Sequence, residues 1–141
     1  MTDDNRKEVE LTRLRKARFL ARNVRGGVLE FGEGDDDAFS PVELLLTAIA
    51  GCTAIDVDYI TAKREEAEHF DLNVKAEKIR DEHGNRLVNF RVRFDVGFPE
   101  GEGGDAAREV LPSAVQRSHD RLCTVSRTVE LGAEIGVEIA S

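Results

Sequence analysis

Two cysteines are the residues of this chain that could carry redox or nucleophilic chemistry. Cys52 lies in the apolar segment 42–60, and Cys123 follows 71 positions later. A free cysteine is often only a small buried apolar side chain, whereas a reactive one needs a stabilised thiolate and access for a substrate. The sequence has no Cys-x-x-Cys motif, so it predicts neither a zinc ribbon nor a thioredoxin-type motif. The spacing alone leaves open two unreactive thiols or a catalytic redox pair.

Composition limits the class of protein and its partners. A length of 141 residues predicts a single domain, residues 1–141. The formal net charge of −8 disfavours nucleic acid, because phosphate binding relies on an excess of Lys and Arg. The polar start MTDDNRKEVE has no apolar signal core, and the longest apolar stretch, residues 42–55, is shorter than the roughly 18 residues of a membrane span. We therefore expect a cytoplasmic protein with no membrane partner.

The segment that carries Cys52 has a strong helix start. Ser40 suits the N-cap, Pro41 the first helical position, and Glu43 completes a capping box three residues after the serine. From there to about Lys63 the segment is apolar nearly all round, which predicts a helix buried on most faces. One small sheet cannot cover such a helix, so we expect a homodimer.

Strand patterns lie on both sides of this helix. Before it, residues 11–22 and 28–34 predict two strands joined by the turn NVRGG. After it, residues 70–76 and 88–96 alternate apolar and polar side chains around the turn DEHGN, which is typical of a hairpin.

The last third of the chain predicts a helix and a strand. Residues 106–122 have a helical pattern in which Pro112 predicts either a kink or two short helices, and residues 129–139 alternate as a final strand. The order is β-hairpin or meander, long helix, β-hairpin, broken helix and strand. This order predicts the α+β fold class.

His119 is the histidine closest in sequence to a cysteine. It lies four residues before Cys123, a spacing that a pair of metal ligands on one helix face could use. Two ligands do not make a site, so we interpret His119 as exposed helix polarity. The sequence implies no heme, flavin or metal cofactor.

Two segments, SPVELLLTAIAGC and HDRLCTVSRTV, resemble the OsmC/Ohr family of thiol peroxidases. The resemblance covers nearly the whole chain and is closest to the OsmC-like branch, which has the pattern ELLL…GC. It implies an OsmC-like fold, with antiparallel sheets packed around a long buried central helix. It also implies an intertwined homodimer with its sites at the subunit interface.

The resemblance implies roles for both cysteines and for an arginine. Cys52 would be the peroxidatic thiolate, which attacks the O–O bond and becomes a sulfenic acid, and Cys123 the resolving thiol that forms a disulfide with it. In the family, an arginine of the N-terminal hairpin activates the thiolate. Arg25 matches that arginine, although a solvated turn charge also explains it. Arg121 and Arg127, which flank Cys123, are the other candidates.

Glu43 departs from the family pattern. The family's arginine is held by a glutamate directly after the helix-starting proline, and that position is Val42 here. Nine residues at about 100° each place Glu43 and Cys52 on opposite sides of a regular helix. The capping box fully explains Glu43, so its part in an Arg–Glu network stays open.

The leading hypothesis is a cysteine-based peroxidase. It would reduce organic hydroperoxides or hydrogen peroxide, form a Cys52–Cys123 disulfide and be regenerated by an external dithiol. The alternatives are a non-catalytic OsmC-like protein that binds a small apolar ligand at the dimer interface, and a thiol redox sensor.

Overall fold

Five strands and three helices form the chain in the computed structural model, which describes residues 5–140. The strands are β1 (Val9–Arg15), β2 (Arg18–Asn23), β3 (Val28–Phe31), β4 (His69–Asp81) and β5 (Gly84–Gly97). The helices are α1 (Pro41–Ala62), α2 (Glu102–Arg117) and α3 (Thr124–Leu131), with a π-helical turn (Ser118–Leu122) between α2 and α3. The predicted α+β class is confirmed. The chain forms two units, the first ending at Leu45 and the second beginning at Leu46.

A three-stranded antiparallel meander in the order β1-β2-β3 makes up the sheet of the first unit. The prediction of one strand over residues 11–22 was wrong, because a turn at Lys16 and Ala17 divides that segment into β1 and β2. Ala17 adopts a φ of 57°, which Gly or Asn adopts more readily. Because neither residue type stands there, the turn had no signal in the sequence.

The predicted start of α1 is confirmed. The Ser40 amide donates to Glu43 Oε1 at 2.9 Å, and the Glu43 amide donates to Ser40 Oγ at 3.2 Å. This reciprocal pair is a capping box, which satisfies two amides that the helix itself cannot pair.

The long helix α1 is buried on only one side within the chain. Its buried residues follow one another at intervals of four, which places them in a single stripe: Ile49, Thr53, Val57 and Thr61. Elsewhere on the helix, Ile55 is 60% and Tyr59 is 73% exposed. A single chain therefore does not provide the predicted burial of α1 on most of its faces. By length and composition α1 could also cross a membrane.

The second unit contains the β4–β5 antiparallel hairpin. Its turn lies where the sequence predicted, and Gly84 adopts a φ of 95° there. The predicted alternation is confirmed from Phe70 to Ala76 and from Phe90 to Val96, where half-buried and exposed residues alternate. A bulge opposite Ala76, with Asn89 at a φ of 56°, shifts the register on the turn side.

Of the two alternatives predicted at Pro112, the division into two short helices was wrong. Helix α2 continues through Pro112 to Arg117, and the irregularity comes later, in the π-helical turn. There the Cys123 amide donates to the Ser118 carbonyl at 2.9 Å, a bond across five residues instead of four. The widened turn therefore sets the direction in which the chain reaches Cys123.

The predicted strand over residues 129–139 was also wrong. Cys123 caps a helix that includes the first residues of that segment, and Gly132, at a φ of 76°, ends it. Residues 132–140 are neither helix nor strand. Their alternating apolar side chains are almost fully exposed, at 87% for Ile135, 88% for Val137 and 94% for Ile139. The alternation of apolar and polar residues is present, but no other part of the described chain pairs with this segment as a strand.

Candidate active site

The two cysteines meet in the second unit, next to an aspartate. Cys52 Sγ, Cys123 Sγ and a carboxylate oxygen of Asp56 all lie within 4.8 Å of one another. Both cysteines are free thiols. A disulfide needs its sulfurs about 2.05 Å apart, so a modest side-chain movement would join this pair. The fold thus brings together two thiols that are 71 residues apart in the sequence.

The N-terminus of α3 holds Cys123. Cys123 is the N-cap residue, and its Sγ accepts a hydrogen bond from the Ser126 amide at 3.4 Å. The thiol also donates to Ser126 Oγ at 3.3 Å, and the residue is fully buried. The sulfur takes the place of the side-chain oxygen usual at an N-cap, so this thiol has a fixed position.

The surroundings of Cys52 disfavour its thiolate. Burial raises the pKa of the Cys52 thiol, the Val125 amide in the first turn of α3 lowers it, and Cys123 and the Asp56 carboxylate raise it again. The net direction is upward, so the thiol form predominates at neutral pH. Among the described groups that set this pKa, the charged side chain is an acid and not an arginine.

A chain of hydroxyl groups positions Asp56. Ser118 Oγ donates to Asp56 Oδ2 at 2.9 Å, and Thr53 Oγ1 lies 2.7 Å from Ser118 Oγ. Ser118 is fully buried, at the start of the π-helical turn. The turn therefore fixes both Cys123 and, through Ser118, the carboxylate beside the two sulfurs.

The sequence analysis missed Asp56 and Ser118. Asp56 follows Cys52 by four residues on one helix, and such residues are neighbours on the helix surface. That spacing could have identified Asp56. Ser118 reaches the site only through the packing of another helix, so nothing in the sequence marked it.

A cavity of about 480 Å³ lies in the second unit, and its lining includes neighbours of the two cysteines but neither cysteine itself. Thr53 and Ser126, which flank the two cysteines, are among its lining residues. Most of the wall is apolar and comes from Ile49, Phe90, Val92, Phe94, Val115 and Val129. The cavity has the size and lining of a site for a small, mainly apolar molecule.

The polar side of the cavity includes His119. Its Nε2 lies 3.9 Å from Glu130 Oε2, and Arg127 also donates to Glu130. The predicted exposure of His119 is confirmed, since its side chain is 55% exposed, and the residue also lines the cavity. Arg127 Nε is buried without a hydrogen-bond partner in the described part of the chain. Of the two arginines that flank Cys123, Arg127 is thus partly buried, whereas Arg121 is exposed.

Arg25 and Glu43 belong to the first unit. Arg25 is exposed in a turn whose amides, those of Arg25 and Gly27, donate to Asn23 Oδ1. Glu43 takes part in the capping box. The cysteines lie in the second unit, and the catalytic roles of Arg25 and Glu43 stay predictions.

Comparison with known proteins agrees with this arrangement. The OsmC-like protein family matches residues 34–138. The chain belongs to the OsmC-like family. It is 32% identical to protein YhfA of Escherichia coli over 119 residues, which covers 83% of this chain and 84% of that protein.

Solved structures share the fold. The OsmC-like protein of unknown function from Vibrio cholerae superposes with a TM-score of 0.73 at 15% identity, covering 89% of this chain and 94% of that one. The organic hydroperoxide resistance protein OsmC of Legionella pneumophila gives a TM-score of 0.57 at 13% identity, covering 89% and 90%. The predicted OsmC-like fold is therefore confirmed.

Replacement of Asp56 should release the Cys52 thiolate. In Asp56→Asn we expect alkylation of Cys52 at neutral pH to be about fivefold faster, because removal of a charge within 4.8 Å of the sulfur stabilises the thiolate by about 1 kcal/mol even in water. The rate is measured with iodoacetamide, and the modified peptide is assigned by mass spectrometry. Asp58→Asn, an exposed position on the same helix, is the matched control and should leave the rate unchanged. Equal rates in all three proteins would show that Asp56 does not act on Cys52.

Proposed function

We propose that this OsmC-like protein is a cysteine-based peroxidase that reduces organic hydroperoxides or hydrogen peroxide in the cytoplasm. The observation that carries the proposal is the pair of free thiols within 4.8 Å of each other. Cys52 is partly accessible, whereas Cys123 is fully buried. This difference supports Cys52 as the thiol that meets the peroxide and Cys123 as the one that resolves it.

The proposed reaction balances with these two residues and an external dithiol. The Cys52 thiolate attacks the distal peroxide oxygen, the O–O bond breaks, and the alkoxide leaves as an alcohol after taking a proton. The Cys52 sulfenic acid then condenses with the Cys123 thiol, which forms the disulfide and releases water. A dithiol reductant exchanges with that disulfide, restores both thiols and is itself oxidised.

The cavity supports an organic substrate. Its apolar wall would accommodate the carbon chain of a hydroperoxide, and its Thr53 and Ser126 edge would place the peroxide group towards the sulfurs. The fold shared with an organic hydroperoxide resistance protein is consistent with this substrate class.

The thiolate needs a cation that the groups around Cys52 do not supply. Arg25 stays the predicted source, on the basis of the family resemblance, and the partly buried Arg127 is the alternative within the second unit. Glu43 is proposed to cap α1 rather than to hold this arginine, because its carboxylate bonds the Ser40 amide.

The proposal includes an intertwined homodimer. The face of α1 that contains Ile55 and Tyr59 is exposed in the single chain, at 60% and 73% for these two large side chains. The unpaired segment 132–140 has the alternation of a strand and exposes Ile135, Val137 and Ile139. A second copy that covers the helix face and pairs with this segment would bury both.

A non-catalytic role in binding is the second candidate, and the cavity is the observation that favours it. An apolar site of about 480 Å³ could hold a small ligand without any use of the thiols. A thiol redox sensor would instead oxidise without turnover. The response of the thiols to peroxide separates all three functions.

The two cysteines should behave differently when each is replaced. Cys52→Ser should abolish peroxide consumption, because no attacking sulfur is left. Cys123→Ser should complete one oxidation and keep a sulfenic acid at Cys52, which dimedone traps for mass spectrometry. Consumption of cumene hydroperoxide with dithiothreitol as reductant is the assay.

The wild-type protein provides the control for the alternatives. Stoichiometric thiol loss without continued consumption would favour a sensor, and no thiol loss would favour the binding protein. A sulfenic acid found at Cys123 in Cys52→Ser, with activity retained, would reverse the assigned roles.

Replacement of Glu43 should test whether it only caps the helix. Glu43→Gln keeps a capping-box side chain, so peroxidase activity should change less than about threefold, or about 0.7 kcal/mol of transition-state stabilisation. Ser40→Ala, which removes the cap, should lower the free energy of unfolding by about 1 kcal/mol. Second-order rates and urea unfolding measure the two effects. A roughly hundredfold slower oxidation of Cys52 in Glu43→Gln would mean that Glu43 holds the activating arginine.

The homodimer should be stable at micromolar concentration. Light scattering should give about twice the chain mass of 15.6 kDa. Ile55→Asp should weaken the dimer, because it places a charge on the exposed apolar face of α1. Asn85→Asp, which adds the same charge to an exposed position at the β4–β5 turn, should remain a dimer. A well-folded wild-type monomer would refute this part of the proposal.

A further inference from the structure

The thiol pair and Asp56 have the composition of a metal site. Two sulfurs and a carboxylate oxygen lie within 4.8 Å of one another. In a tetrahedral zinc site, Zn–S bonds of about 2.3 Å place the two sulfurs about 3.8 Å apart, so the existing arrangement needs only a small contraction. Thiolate and carboxylate together favour Zn²⁺ over Mg²⁺ or Ca²⁺, which take oxygen ligands.

The groups around the cluster already orient its atoms. Ser118 Oγ engages Asp56 Oδ2 at 2.9 Å, which leaves the second carboxylate oxygen as the geometric choice for a ligand. The Ser126 amide donates to Cys123 Sγ at 3.4 Å, which holds that sulfur in place. Amide bonds to sulfur and a hydroxyl bond to a carboxylate are the outer contacts that fix metal ligands in proteins.

The donor set of the cluster also suits a divalent cation. When both thiols give up their protons to a bound ion, Cys52, Cys123 and Asp56 place three negative charges within 4.8 Å, in a partly buried setting. A divalent cation bound to all three would neutralise most of that charge. His119 is not part of this cluster, since it pairs with Glu130.

We propose that the reduced protein binds Zn²⁺ through Cys52, Cys123 and Asp56, and that the bound ion protects the two thiols from oxidation. Binding displaces the two thiol protons and leaves a fourth position for water. A peroxide that does oxidise the site takes two electrons from the two thiolates and forms the disulfide. With two protons the peroxide becomes alcohol and water, and Zn²⁺ is released. The inference uses the same cysteines as the proposed peroxidase but does not require turnover.

Cobalt is the probe that reports these ligands directly. The reduced, chelator-treated protein is titrated with Co²⁺, which should bind at one ion per chain and give a thiolate-to-cobalt charge-transfer band. Added Zn²⁺ should displace Co²⁺ and abolish the band. The disulfide form should give no band, because its sulfurs are no longer thiolates. No band with the reduced wild-type protein, or an equal band with the disulfide form, would overturn the inference.

Matched variants identify the carboxylate ligand. Asp56→Asn should weaken Zn²⁺ binding at least about tenfold, whereas Asp58→Asn should stay within about twofold of wild type. Circular dichroism checks that both variants fold. Equal affinity in folded Asp56→Asn and wild type would overturn the role of Asp56, and the wild-type cobalt spectrum tests the site even if this variant does not fold.

The effect on thiol oxidation separates this inference from the proposed function. With saturating Zn²⁺, loss of free thiols after peroxide addition should be at least about tenfold slower, and EDTA should restore it. Peroxide turnover with no metal binding would refute the zinc site alone. Metal binding by a protein that never turns over peroxide would refute the peroxidase alone.

Discussion

The first turn of α3 is the contact on which the arrangement of the thiol site depends. The Ser126 amide donates to Cys123 Sγ, and the Val125 amide lowers the pKa of the Cys52 thiol. The amides at the start of a helix carry partial positive charge, so they stabilise electron-rich sulfur in a place where burial works against it. Without this turn the two thiols would have no common partner, because they lie on different helices and are far apart in the sequence.

The π-helical turn before α3 brings a partner to the half-buried Asp56. A bond across five residues brings the chain from Ser118 to Cys123 in one wide turn. The same turn puts Ser118 against Asp56, with Thr53 beyond it. In a regular α-helix, either Ser118 or Cys123 would point in a different direction. This is a physical reason for the π-helical turn to lie beside the site.

The site combines opposing electrostatic effects. Burial, Cys123 and Asp56 raise the pKa of Cys52, and the Val125 amide offsets them only in part. A thiol peroxidase needs a thiolate, so the second unit alone holds the sulfurs in place without activating them. Two ways to balance this charge follow from the chemistry: an arginine that favours the Cys52 thiolate, or a cation bound between the sulfurs and the carboxylate. The first prepares the thiol for oxidation, and the second shields it.

The sequence by itself determined the elements whose signals are local. Patterns among neighbouring residues are sufficient to predict three features: the Ser40–Glu43 capping box, the β4–β5 hairpin and the α+β order. The motifs around Cys52 and Cys123 also identified the family whose model matches residues 34–138. Tertiary structure decided the rest. Residues 129–139 alternate like a strand, yet α3 takes the first of them because Cys123 caps a helix there, and strand pairing depends on a partner that the local pattern does not contain. The meeting of Cys52, Asp56 and Ser118 likewise depends on how α1 packs against the π-helical turn, a contact between residues more than 60 positions apart.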